Sequence, residues 1–167
     1  MFVPFEKLPP YSRIWIYQAN RPFSSDEEKI ISNSLMNFCS QWEAHGNPLQ
    51  TSFKIEYHQF VILVVDESSA GASGCSIDGS VRVLKELGNQ LNIDFFDRSR
   101  VAFLESEKVR SYSLVQLKSL FQSGDLTSAS QTFNNLVANK SEWETNWKTS
   151  VQKSWLTKYL PKDTLSV

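Results

Sequence analysis

The chain alternates between the two periodicities that side-chain geometry allows, two residues for a strand and 3.6 for a helix. Residues 1–10 hold Pro4, Pro9 and Pro10, which oppose both helix and ladder pairing, so an extended lead-in is expected. Residues 13–19 (RIWIYQA) are rich in aromatic and β-branched side chains and predict a first strand. Asn20-Arg21-Pro22 breaks it. Ser24, Ser25 and Asp26 then offer N-caps, and Ser25 with Glu28 has the spacing of a capping box. Ile30, Ile31, Leu35, Phe38, Cys39 and Trp42 recur at helical spacing, which predicts an amphipathic helix over 26–44 closed by Gly46.

Residues 52–57 alternate Phe53, Ile55 and Tyr57 with Lys54 and Glu56, a strand with one wet face. Residues 60–65 (FVILVV) are continuously apolar and predict a central strand buried on both sides. A tight turn at His58-Gln59 would join the two as a hairpin. A polar loop over 66–75 precedes a helix with Ile77, Val81, Leu84, Leu87 and Leu91 on one face, and residues 100–105 (RVAFLE) predict a fourth strand. The order β-α-β-β-α-β over 11–105 predicts an α+β, ferredoxin-like fold, with two helices on one face of a four-stranded antiparallel sheet.

The stretch 110–160 reads as helical. Leu114, Leu117, Leu120 and Phe121 mark one helix ended by Gly124, and Ala129, Phe133, Leu136 and Val137 mark another. Trp143, Trp147, Val151, Trp155 and Tyr159 stand four apart, a stripe that drifts ~40° per step around a helix. Packing against the sheet accounts for such a stripe, and a partner-binding aromatic groove is the functional alternative. The expected organisation is a sheet domain over 1–108 carrying a helical extension over 109–167.

Composition narrows the function classes. The chain has 167 residues, a 41% apolar share and a net charge of -1, which gives no global field toward nucleic acid or an anionic membrane. Neither partner is therefore expected of the chain as a whole; a local basic patch stays open, and Lys148, Lys153, Lys158 and Lys162 tilt the C-terminal end basic, as a solvated helix face also would. No apolar run is long enough to cross a bilayer and no signal-peptide pattern opens the sequence, so a cytoplasmic protein is expected. Cys39 and Cys75 lack zinc-ligand spacing and form no disulfide framework, and no cofactor motif stands out.

The candidate chemistry lies in residues 66–80. There Asp66, Glu67, Ser73, Gly74, Cys75, Ser76 and Asp78 join a buried strand to the start of a helix. A helix start presents free N–H groups and a positive dipole end, which can bind an anion or lower a thiol pKa. The glycines at 71, 74 and 79 match neither a phosphate-binding lysine loop nor GxGxxG, and the segment is no GxSxG elbow. Topology puts the connector holding His45 at the same sheet end as Cys75, Asp66, Glu67 and Asp78, and a Cys with a nearby His and a carboxylate is the minimal set for a thiol nucleophile. His58 falls at the opposite end. Asn20, Arg21, Asp97 and Arg98 gather there, with the two arginines able to meet a phosphate. The best reading is a small-ligand or anion-binding module using the turn at 66–80. The alternatives are a cysteine-dependent enzyme and an interaction module, for instance a homodimer, that uses the tryptophan-rich end or an open sheet face.

RIWIYQANR at 13–21, WEAHGNPL at 42–49, VDESSAGASGCSID at 65–78 and FDR at 96–98 together resemble a family of small uncharacterised bacterial proteins. Members of that family are often labelled "ABC transporter ATPase". The likeness spans residues 1–160 and implies a cytosolic location with no established activity. Asp66-Glu67 behind FVILVV has the form of a Walker B segment, but the chain has neither a Walker A loop nor an LSGGQ-type signature, so ATPase activity is not expected.

Overall fold

Strand and helix follow one another as β1 (Arg13–Gln18), α1 (Ser25–Gln41), β2 (Glu43–Ala44), β3 (Asn47–Pro48), β4 (Gln50–Glu56), β5 (Phe60–Asp66), α2 (Gly74–Leu91), β6 (Arg100–Glu105), β7 (Lys108–Ser113), α3 (Leu114–Ser123), β8 (Gln131–Phe133), α4 (Lys140–Asn146) and β9 (Lys148–Ser150). The computed structural model describes residues 1–68 and 74–162, with backbone alone for 74–76. It is a mixed α+β chain whose strands pair antiparallel. Two compact units divide it: Met1–Asp97 with Asn135–Glu144, and Arg98–Asn134 with Thr145–Val167. Each unit thus takes two stretches of chain.

The first unit is built on a sheet of order β1-β5-β4. β5 is central and buried along its whole length, as its unbroken apolar run requires. Val61, Leu63 and Val65 enter a core with Ile31, Leu35 and Cys39 of α1 and Leu84 and Leu87 of α2. Each such aliphatic side chain stabilises the fold by about 1.5–3 kcal/mol relative to exposure. The alternate residues Phe60, Ile62 and Val64 are equally inaccessible. The outer edge of β1 is met by residues 138–139, where Ile14 donates its N–H to the Ala138 carbonyl at 3.0 Å. Lys140 is buried beside them. Its ammonium donates to the Leu8 carbonyl at 2.8 Å and lies 4.9 Å from the Phe5 ring, which meets Trp143 edge-on.

α1 begins one residue earlier than its sequence spacing suggests. The capping box is Ser24 with Glu27, not Ser25 with Glu28. Glu27 is preferred because it serves two partners, the Ser24 N–H at 2.8 Å and a two-point pair with Arg21 at 2.9 and 2.7 Å. The helix ends at Gln41, and Trp42 turns extended. Gly46 is therefore no helix cap. It shares a two-residue turn with His45, both at positive φ (79° and 52°), that folds β3 onto β2.

The second unit holds a sheet of order β7-β6-β8-β9, and here the ferredoxin-like expectation departs from the pairing. A ferredoxin-like sheet would set β6 beside β1. Instead Ser106 and Glu107, at φ 51° and 65°, fold β7 back onto one edge of β6, and β8 takes the other. With both edges occupied, β6 cannot close a four-stranded βαββαβ sheet. The expected all-helical extension is corrected as well. α3 and its Gly124 cap (φ 83°) stand as read, but Phe133 ends strand β8, and the stripe from Trp143 to Tyr159 is divided among α4, β9 and two 3₁₀ turns. Val101, Phe103, Leu117, Phe121, Leu126, Val151, Leu156 and Leu160 form this unit's core.

Candidate functional site

The end of the first sheet where β5 stops holds the sequence-predicted carboxylates. Asp66 pairs in register with Gln50, the first residue of β4, and is buried. Its Oδ1 accepts the Ser68 N–H at 2.9 Å, so this carboxylate shapes the turn that leaves the strand. Glu67 pairs with Arg13 at 3.3 Å, and that guanidinium, 46% exposed, lies 4.8 Å from the Trp15 ring centre. Asp78 is exposed on α2. Ser73 lies outside the described residues, as do the side chains of Gly74, Cys75 and Ser76.

His45 is exposed at the tip of the β2–β3 hairpin. The hairpin's base is closed by the Leu49 N–H donating to the Trp42 carbonyl at 3.0 Å. The Trp42 ring meets Phe38 at 4.8 Å, tilted by 41°, and a Cβ on Gly79 would lie 3.7 Å from the Phe38 ring. β2 also packs on α2. The base of the histidine hairpin, the early turns of α2 and the end of β5 therefore share one end of the unit. His58 is at the other end, in the β4–β5 turn, with Nδ1 2.9 Å from Glu28.

The described thiol is Cys39, whose burial pushes its pKa up to about 11, with the neighbouring Thr51 hydroxyl lowering it in part. Such a thiol is no nucleophile near neutral pH. Among the described residues no group of three or more His, Cys, Asp or Glu side chains could hold a metal ion. No helix among them is long and apolar enough to cross a membrane.

The opposite end carries a feature that sequence reasoning missed. A cleft of about 360 Å³ is bordered by Asn20, Lys85, Asn89, Asn92, Asp94 and Phe96. Most of its polar groups hold the chain together. The Asn20 N–H donates to the Asp94 carbonyl, the Asp94 N–H returns to Asn20 Oδ1, and the Phe96 N–H reaches Asp94 Oδ1, all within 2.8–2.9 Å. Arg21, a candidate anion binder, pairs with Glu27 and caps α2 by donating to the Leu91 carbonyl at 2.8 Å. Arg98, its expected companion, belongs to the second unit. A signal for this end was present in Asn92, which takes φ 56° at the close of α2, as asparagine tolerates.

Comparison with protein-family models, curated proteins and solved structures finds no match to this chain.

Proposed function

We propose that the first unit is a small-ligand-binding module that takes an anionic or polar ligand where β5 gives onto α2, within residues 66–80. The supporting observation is that Phe38, whose ring meets Trp42 at the base of the His45 hairpin, lies beside Gly79 in the early turns of α2. That end combines a solvent-held imidazole, the half-exposed Arg13 and the positive dipole end of an 18-residue helix. In this reading the α2 amides, Ser73 and Ser76 donate to the ligand, and Arg13 and His45 set its charge preference. The other end of α2 is the negative pole, already capped by Arg21, and is the poorer place for an anion. The test is an NMR titration of the full chain with inorganic phosphate. Saturable shifts at the amides of 74–79 and at His45, weakened several-fold in Arg13→Gln, are expected. Shifts confined to residues elsewhere would reject the site.

A cysteine-dependent enzyme using Cys75 with His45 is the second reading, and the burial of Cys39 makes it measurable. With Cys39 raised to about 11, alkylation of the folded chain at neutral pH reports Cys75 alone. An inflection well below ~8.5 that moves in His45→Ala supports the nucleophile, and one at the free-thiol value removes it.

A further inference from the structure

Charge is divided unequally between the two units. The second carries nine lysines and arginines against four carboxylates (Glu105, Glu107, Asp125 and Asp163), a net of +5. The first carries eight against fourteen, a net of -6. The whole-chain value of -1 hides this partition. Within residues 145–162 the basic excess is complete: Lys148, Lys153, Lys158 and Lys162 are all exposed, and no Asp or Glu occurs.

The same stretch holds an exposed tryptophan beside a half-buried tyrosine. Trp155 is 54% exposed. Its ring meets Tyr159 edge-on at 6.0 Å and 77°, and the Lys158 ammonium lies 5.1 and 5.3 Å from the two ring centres. The pair stands on the 3₁₀ turn Trp155–Tyr159, started by Ser154, whose Oγ accepts the Leu156 N–H at 3.1 Å. Leu156 is fully buried, Leu160 nearly so and half-buried Tyr159 packs against the same core, which fixes the turn and leaves the Trp155 indole in water. The unit's own packing therefore gives no reason for an indole at this position.

We propose that this face of the second unit binds single-stranded nucleic acid, with Trp155 and Tyr159 stacking on bases and the surrounding lysines meeting phosphates. Sequence-tolerant binding of single strands combines aromatic faces with basic side chains, and an exposed indole and Lys158 occur here on one fixed turn. An acidic peptide would use the lysines and leave the exposed indole unexplained. An anionic membrane would need a broad apolar face, and a five-residue turn with Leu156 buried presents only the two rings.

The test is fluorescence anisotropy of short labelled dT and rU oligonucleotides with the full chain. Both are expected to bind at low salt, with log K falling against log salt at a slope of about -2 to -3, since each phosphate neutralised on a single strand contributes about 0.7. Trp155→Ala is expected to weaken binding about tenfold with the slope unchanged, while Trp155→Phe retains most of it. The pair Lys153→Gln and Lys158→Gln should make the slope shallower by about 1.4. Circular dichroism checks that each variant is folded. The proposal is overturned if neither oligonucleotide binds at low salt, or if Trp155→Ala binds as the parent does. It is also overturned if polyglutamate or phosphatidylserine vesicles displace the oligonucleotide as well as unlabelled dT does, the results expected of an acidic-peptide or membrane surface.

Discussion

Glu27 shows how one side chain can close a helix and anchor a loop together. Its hydrogen bonds from Arg21 first, and from the Ser24 N–H second, hold its pKa down to about 2. A carboxylate unfolds to a pKa of about 4.3, so the folded chain prefers the charged form, and the stabilisation is complete above that value. It is lost as pH falls from about 4.3 through 2, where Glu27 takes up a proton. Glu27→Gln keeps an acceptor for the Ser24 N–H but loses the charge pair. Because Arg21 is partly exposed, water screens the pair, and the loss at pH 7 is expected to be about 0.5–1 kcal/mol. Thermal unfolding by circular dichroism should show the variant melting below the parent at pH 7, with the gap closing by pH 2. A gap that persists at pH 2 would mean that the charge pair is not its source. The same residue explains a misread boundary. Ser25-Glu28 and Ser24-Glu27 have identical spacing, and only the Arg21 side chain, brought back from the end of β1, decides between them.

Element ends depend on such long-range choices more than element interiors do. The close of α2 is a tight one: the Ile93 N–H returns to the Gly88 carbonyl at 3.0 Å across Asn92 in the left-handed region. A Cβ on Gly88 would sit 2.5 Å from the Ile93 carbonyl oxygen, whereas one on Gly79 would meet only the Phe38 ring at an ordinary 3.7 Å. Gly88→Ala is therefore expected to destabilise by about 1–3 kcal/mol, against the usual helix preference for alanine, while Gly79→Ala follows that preference with a gain of about 0.5–1 kcal/mol. Urea midpoints of the two variants should move in opposite directions, and a shared gain would show that the α2 turn relaxes freely. The interiors of β1, β4, β5 and α1 were legible because periodicity and burial agree there. β7 was not: Ser106-Glu107 is a left-handed hairpin turn without the glycine or asparagine that announces one. The aromatic stripe misled for a different reason. Trp147 and Val151 are buried and Trp155 is exposed, so a four-residue spacing that mimics one helical face serves a bend and two 3₁₀ turns with different surroundings.

On the scale of the whole chain, summation concealed more than periodicity did. Of the site read at 66–80, the meeting of the His45 hairpin base with the end of β5 was legible, since connector order in a sheet fixes which loops share an end. The two carboxylates were legible as residues but not as bonded groups, because their partners Ser68 and Arg13 follow from turn geometry and strand register. The basic second unit was invisible to a net charge of -1, because that unit is assembled from two separated stretches whose excess cancels against the first. Screening falls off over about 10 Å at 0.1 M salt, so a surface responds to the charges of its own unit rather than to the molecular sum. The chain is accordingly expected to be retained by both a phosphate-bearing cation exchanger and an anion exchanger at pH 7.5 and about 0.1 M salt. Lys153→Gln with Lys158→Gln should lower the salt needed to elute it from the first and leave the second unchanged, because the carboxylate excess resides elsewhere. Passage of the parent protein straight through the cation exchanger would mean that the fourteen carboxylates of the first unit dominate at every surface, and the +5 of the second unit would then have no outward expression.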